Sequence, residues 1–252
     1  MKHVGVDGCR AGWLAVRVEG GQGRALWSGG DVYPDFGSLW LAHADAASIW
    51  VDIPIGLPGP DLPARDADRL ARKLLGKRSS SIFSPMSRLC LDCTSWAEAN
   101  KKNRQVVGKG FSKQSWMIAP KIKDVDSFLA LHPEARANVL ESHPELCFAL
   151  AVGAPLLHSK KHASGVEERL DILEFLIPGA RDFHADVRRD CLVREVAHDD
   201  IPDAMILAVA AFLAGNDPAG LPEPPQQDDA GLSMAIRMPR AWLFLKKQRS
   251  DP

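Results

Sequence analysis

Val4-Gly5-Val6-Asp7-Gly8-Cys9-Arg10-Ala11-Gly12-Trp13 is the stretch from which the rest of the chain is read. Its apolar residues run into an acid, Asp7, and a glycine-bounded turn follows at 8–12. Residues 13–18 alternate well enough for a strand, Gly20-Gly21-Gln22-Gly23 is a second turn, and 24–28 make a third short strand. Three strands joined by tight turns form an antiparallel meander. Phe36, Leu39 and Trp40 recur at helical spacing within 35–44. Ser48-Ile49-Trp50-Val51-Asp52 then repeats the opening pattern, an apolar run closed by an acid. Pro54, Pro58 and Pro60 end regular structure there.

Residues 61–133 read as a helical insertion, with helices at 64–75, 96–107 and 123–131 and a polar loop at 77–85. Strand character returns at 137–142, and 145–152, 166–176 and 202–213 have helical patterns. The span 217–229 holds four prolines and reads as a loop, and 233–237 as a last short strand. This order predicts one α/β domain over 1–252. Its expected core is ribonuclease H-like: a mixed sheet of three antiparallel strands followed by parallel ones, with flanking helices. In that core the fourth strand lies parallel beside a central first strand. Ligands of such sheets bind outside the carboxyl ends of the parallel strands. Asp7 and Asp52 are therefore expected side by side.

The 252 residues carry a net charge of −1, with 46% hydrophobic and 25% charged residues. That is ordinary globular composition, and it excludes a disordered, collagen-like or coiled-coil chain. No apolar run approaches the roughly 18 residues a membrane span needs. The first residues lack the apolar core of a secretory signal. Five cysteines at irregular spacing fit reduced thiols and a cytoplasmic location better than a disulfide framework. The near-zero net charge hides an asymmetry. Residues 65–123 hold fourteen Lys and Arg against four Asp and Glu, a surplus of ten positive charges. One segment is thus built for a polyanion while the remainder concentrates carboxylates.

Two carboxylates held together repel unless a cation lies between them. Mg²⁺ suits that place, needing one or two carboxylates plus phosphate oxygens and water. Two such ions about 3.5–4 Å apart can activate water and stabilise the leaving oxygen in phosphodiester cleavage. Asp7, Asp52, Glu141 and Asp203 are the candidate catalytic and metal-binding acids, with Asp200 beside them. Asp200 and Asp203 share one helix face, although Asp200 also suits a helix cap. His143 and Glu145 are candidates to orient these acids. The expected cofactor is Mg²⁺ or Mn²⁺, as two ions.

Arg72, Lys77, Arg78 and Ser79 offer cations, a hydroxyl and backbone N–H groups to phosphates. Phe111 and Trp116 stand among further lysines, an arrangement suited to stacking on single-stranded bases. The expected partner is a nucleic acid, DNA or RNA, with no membrane. Arg10, Gln114, Lys121, Lys160 and Lys161 complete the candidate substrate-binding set. Cys90-Leu91-Asp92-Cys93 lacks a second pair at zinc spacing. His143 with Cys147, and His158 with His162, lack a third ligand nearby.

The motifs Val4-Gly5-Val6-Asp7-Gly8-Cys9-Arg10, Val51-Asp52-Ile53-Pro54-Ile55-Gly56-Leu57-Pro58, Gln114-Ser115-Trp116 with Pro120-Lys121-Ile122, Glu141-Ser142-His143-Pro144-Glu145 and Asp200-Ile201-Pro202-Asp203-Ala204 occur in that order. Together they resemble an uncharacterised bacterial family described as predicted ribonuclease H-like nucleases. The last motif is also similar to the final helix of Holliday-junction resolvases. The resemblance implies a metal-dependent nuclease carried by Asp7, Asp52, Glu141 and Asp203. Two other readings remain open on the same residues. One is a phosphotransferase of the actin-like type, with Asp7-Gly8-Cys9-Arg10 as a phosphate loop. The other is a nucleic-acid-binding module without catalysis.

Overall fold

The computed structural model describes residues 1–21 and 24–243. Strands β1 (Lys2–Cys9), β2 (Gly12–Gly21) and β3 (Arg24–Tyr33) form the expected meander. Gly12 turns the first corner at φ +139°, and a Cβ there would stand 1.9 Å from the Tyr33 carbonyl oxygen. Only glycine fits both demands. Helix α1 (Phe36–His43) starts on Asp35, whose Oδ1 accepts the Ser38 N–H at 2.7 Å. Strand β4 (Ser48–Val51) then runs parallel to β1, with Val6 opposite Val51.

The next residues form helices α2 (Asp66–Leu75), α3 (Trp96–Val107), α4 (Lys113–Met117) and α5 (Ala119–Leu131). The expected loop at 77–85 is partly a 3₁₀ turn, Gly76–Ser81. Strand β5 (Val139–Glu141) adds parallel to β4. Four helices follow: α6 (Pro144–Val152), α7 (Ala163–Leu176), α8 (Ala180–Asp190) and α9 (Asp200–Ala214). Strands β6 (Pro218–Gln227) and β7 (Ser233–Pro239) pair with each other. The loop expected at 217–229 is thus mostly a strand. Its prolines are tolerated because β6 has a single partner, so a missing N–H can face the open edge.

The chain divides into two compact units. The first comprises Met1–Asp52, Ala137–Ala219 and the described residues from Arg237. Its sheet has the order β3-β2-β1-β4-β5. Helix α9 is buried from Ile201 through Ala211 and packs on β1, β2 and β4 as well as on α6, α7 and α8. A helix apolar all round needs that double cover. The closest approach is at Gly5, where a Cβ would lie 2.1 Å from both the Ala204 carbonyl oxygen and the Ala208 nitrogen.

The second unit is Ile53–Arg136 with Gly220–Ile236. It contains the whole of 61–133 and also takes up most of the β6–β7 pair. Its centre is polar as well as apolar. Arg88 holds Asp126 through two bonds of 2.8 Å and also reaches Asp228. Asp228 in turn accepts N–H groups from Leu57 at 3.0 Å and Leu232 at 2.8 Å. An arginine fork is suited to such a junction, since it satisfies two carboxylates in fixed geometry.

Candidate active site

The candidate acids belong to the first unit. Asp7 lies near the carboxyl end of β1, and its Oδ1 accepts the Gly8 N–H at 2.7 Å. Asp52 directly follows β4, and its own N–H extends the parallel ladder to the Val6 carbonyl at 2.9 Å. Asp203 lies in the first turn of α9 and is 2% exposed. The close seat of α9 on Gly5 brings that first turn over the ends of β1 and β4. Asp52 and Asp203 act on Asp7, and Asp203 on Asp52. Burial, then the charges of Asp52 and Asp203, hold the Asp7 carboxyl well above the usual carboxylate range. Burial also raises Asp52, with Asp203 adding to it, while His143 and Lys160 pull the other way.

Lys160 supplies positive charge inside this group. Its Nζ lies 2.5 Å from Asp203 Oδ2 and 3.3 Å from Asp199 Oδ2. These acids, Asp203 and Asp7 first, raise the Lys160 ammonium above its ordinary value against the effect of burial. The sequence placed Lys160 with the substrate cations, and nothing local marks a partner 43 residues away. Asp200 is the first residue of α9 and does not cap it. Its Oδ2 accepts the Ala197 N–H at 2.7 Å, fixing the segment before the helix. Burial and the neighbouring Asp199 and Asp203 push Asp200 up to about 6, against that hydrogen bond.

Strand register separates Glu141 from this group. Val6, Val51 and Glu141 are lateral partners in the parallel ladders and so share one sheet face. Gly5 and Asp7 alternate with Val6 and lie on the other face, the one against α9. His143 stands at the N-cap of α6, its Nδ1 accepting the Leu146 N–H at 3.3 Å, and it acts on Asp52. Glu145 is turned to a different task, a buried ion pair with Arg169. Cys147 is buried in the core, which pushes its thiol up to about 12.

The candidate substrate residues divide between the units. Arg10, Lys160 and Lys161 line a pocket in the first unit. Arg72, Lys77, Arg78, Ser79, Gln114, Trp116 and Lys121 belong to the second. There, Lys77 and Gln114 are exposed, while Arg78, Ser79, Trp116 and Lys121 are partly buried. Arg72 donates to the Ile82 carbonyl and to Ser84 Oγ, both at 2.9 Å, so its guanidinium serves the fold. Arg65 is likewise turned inward, onto Asp68 at 3.1 Å and the Ile55 carbonyl at 3.3 Å.

Among the described residues, no group of three or more His, Cys, Asp or Glu stands ready to hold a metal ion. The donor chemistry of Asp7, Asp52 and Asp203 nevertheless fits a hard divalent cation. Such an ion uses one or two carboxylates and completes its shell with water and phosphate oxygens. No helix among the described residues is long and apolar enough to cross a membrane. No curated protein and no solved structure matches the chain. One family model matches residues 5–227, and the chain belongs to the family described as Protein of unknown function (DUF429).

Proposed function

We propose that the protein is a metal-dependent nuclease on a ribonuclease H-like core. The observation that carries this reading is the gathering of Asp7, Asp52 and Asp203 from two parallel strand ends and one helix, where Asp52 and Asp203 both raise the buried Asp7 carboxyl. A fold gains nothing from burying Asp7 where Asp52 and Asp203 raise it further, whereas a phosphoryl-transfer site needs such a group of acids. The strand order β3-β2-β1-β4-β5, antiparallel and then parallel, supports the same core. Asp7, Asp52 and Asp203 would hold Mg²⁺ or Mn²⁺. The ion, when bound, would supply a nucleophile from water and neutralise charge at phosphorus. His143 opposes the upward effect of burial on the Asp52 carboxyl and so favours its ionised, oxygen-donating form. Lys160 neutralises Asp203 and stands ready to offer its ammonium to a phosphate oxygen.

The test is cleavage of single-stranded, duplex, hybrid and branched DNA and RNA with Mg²⁺ or Mn²⁺. Wild type should cleave at least one substrate, and Asp7→Asn and Asp203→Asn should each lose most of the turnover. Calorimetric titration of Mn²⁺ should show binding to wild type and weakened binding to both variants. Absence of cleavage and of metal binding would remove the nuclease reading and leave the binding module.

A further inference from the structure

Beside Lys160 the first unit opens a pocket of about 540 Å³. Three segments build it. Arg10 comes from the β1–β2 turn, three residues after Asp7. Lys161 and His162 lead into α7. Val193 and His198 come from the segment between α8 and α9. These segments are tied in place. The Ala11 N–H meets the Glu195 carbonyl at 3.2 Å. The Leu157 and His158 N–H groups both bond Glu168 at 2.8 Å. Arg169 holds the Gly165 carbonyl at 2.9 Å from below. The pocket is therefore preformed, as ligand sites usually are.

Its charge is not balanced. Of the acids that line it, Asp199 is paired with Lys160, and Glu167 with Arg181 at 2.8 Å. Arg10 and Lys161 have no side-chain hydrogen bond or ion pair among the described residues. Two free cations remain over a wall that also contains Val166, Val193 and Ala197. Free cations select an anion, and arginine with lysine suits phosphate. The volume selects an organic phosphate, because an inorganic ion would leave most of the space to water. Pockets of about 300–1,000 Å³ hold ligands of drug size, and a nucleotide is one.

We infer that this pocket binds one nucleotide of the substrate, its phosphate on Arg10 and Lys161 and its sugar and base against Val166, Val193 and Ala197. The inference rests on the nuclease reading for its substrate and deepens it. Lys160 and Asp199 belong both to the pocket wall and to the charge network of the acids. A nucleotide seated here is bounded by Lys160, whose ammonium pairs with Asp203.

The experiment is calorimetric titration of the full chain, in chelator and without divalent metal. The probes are the four nucleoside 5′-monophosphates, adenosine and ribose 5-phosphate. At least one nucleotide should bind, with adenosine and ribose 5-phosphate weaker by about tenfold or more. Arg10→Ala combined with Lys161→Ala should weaken the nucleotide by about tenfold or more at unchanged melting temperature. Arg189→Ala, a surface cation outside the pocket, should bind as wild type does. Each single variant carries the same expectation should the double one melt early. Failure of all four nucleotides to bind at millimolar concentration would overturn the inference. So would equal binding by the double variant, or ribose 5-phosphate binding as tightly as the nucleotides. An inactive protein that binds nucleotides here keeps this inference and loses the nuclease reading. An active nuclease that binds none does the reverse.

Discussion

Lys160 and Asp7 set opposite signs on the stability of the acid group. Asp203 is buried, so removing its cation strands a charge; the ammonium is 39% exposed, so water compensates part of it. Lys160→Met should cost about 1–3 kcal/mol, less than the roughly 3–5 of a fully buried pair. Asp7→Asn should act in the other direction, because it removes a carboxyl that burial and two neighbours hold above its usual range. Without metal, each kcal/mol gained should raise the melting temperature by about 2–4 °C. Thermal melts of both variants in chelator check the pair, and a melt lowered by Asp7→Asn would contradict the repulsion. His43 supplies a separate residue-level test. Burial lowers it to about 4, and neither ring nitrogen has a hydrogen-bond partner among the described residues. The folded state binds its proton less readily than the unfolded one. The stability it permits is therefore full above about pH 6.5 and is lost as the pH falls through 4. The loss should be on the order of 3 kcal/mol. His43→Phe should flatten the denaturant midpoint across that window while wild type declines.

At the scale of elements, the contact of β1 with α9 governs the site. Gly5 is the place where a side chain would stand inside the helix backbone. Gly5→Ala cannot be relieved by a rotamer change, since the atoms it meets belong to residues 204 and 208 of the main chain. It should cost at least about 3 kcal/mol, at or beyond the upper end of ordinary overpacking. It should also move the first turn of α9, so cleavage should fall further than stability alone explains. Circular dichroism melts with parallel activity assays read both effects, and a near-wild-type melt would refute the close approach. Helix α8, like the short α4, is not predicted from the sequence. Its signal was modest: Phe183 and Val187 at i, i+4 within an otherwise charged run. Phe183 stacks on Trp27 at 5.0 Å and Val187 packs on Gly30, contacts that only the folded chain supplies.

Over the whole molecule, charge is distributed by unit. The surplus of ten positive charges in 65–123 falls within the second unit. Part of it is consumed internally by Arg65, Arg72 and Arg88. Exposed lysines remain at 73, 77, 101, 102 and 109. Lys113 lies over the Trp96 ring at 5.4 Å. On the proposed reading, binding of single-stranded nucleic acid should weaken with salt, with a log–log slope of about −0.7 per phosphate neutralised. Lys101→Glu with Lys102→Glu on α3 should reduce that slope by roughly 1–2 without changing the melt. Fluorescence anisotropy across a salt series measures it. A slope unchanged by the double variant would take this face out of the interface.

Features that depend on neighbours along the chain were legible in the residues alone. Alternation and tight turns marked the meander, and apolar runs closed by Asp7 and Asp52 marked the parallel strand ends. Proline and glycine marked where the regular structure of β4 and α2 stops. The order of those elements was enough to put Asp7 beside Asp52, because a crossover back to a central strand has few solutions. Features that depend on distant partners emerged only on folding. Register, which changes face with every residue, set Glu141 apart from Asp7. A chain distance of 43 residues hid the pairing of Lys160 with Asp203. Whether a cation faces outward or inward is an outcome of packing, so Arg65 and Arg72 could not be told from Lys77 by type. Strand β6 formed through its prolines because β7 was available to pair, and availability of a partner is written nowhere in the local pattern.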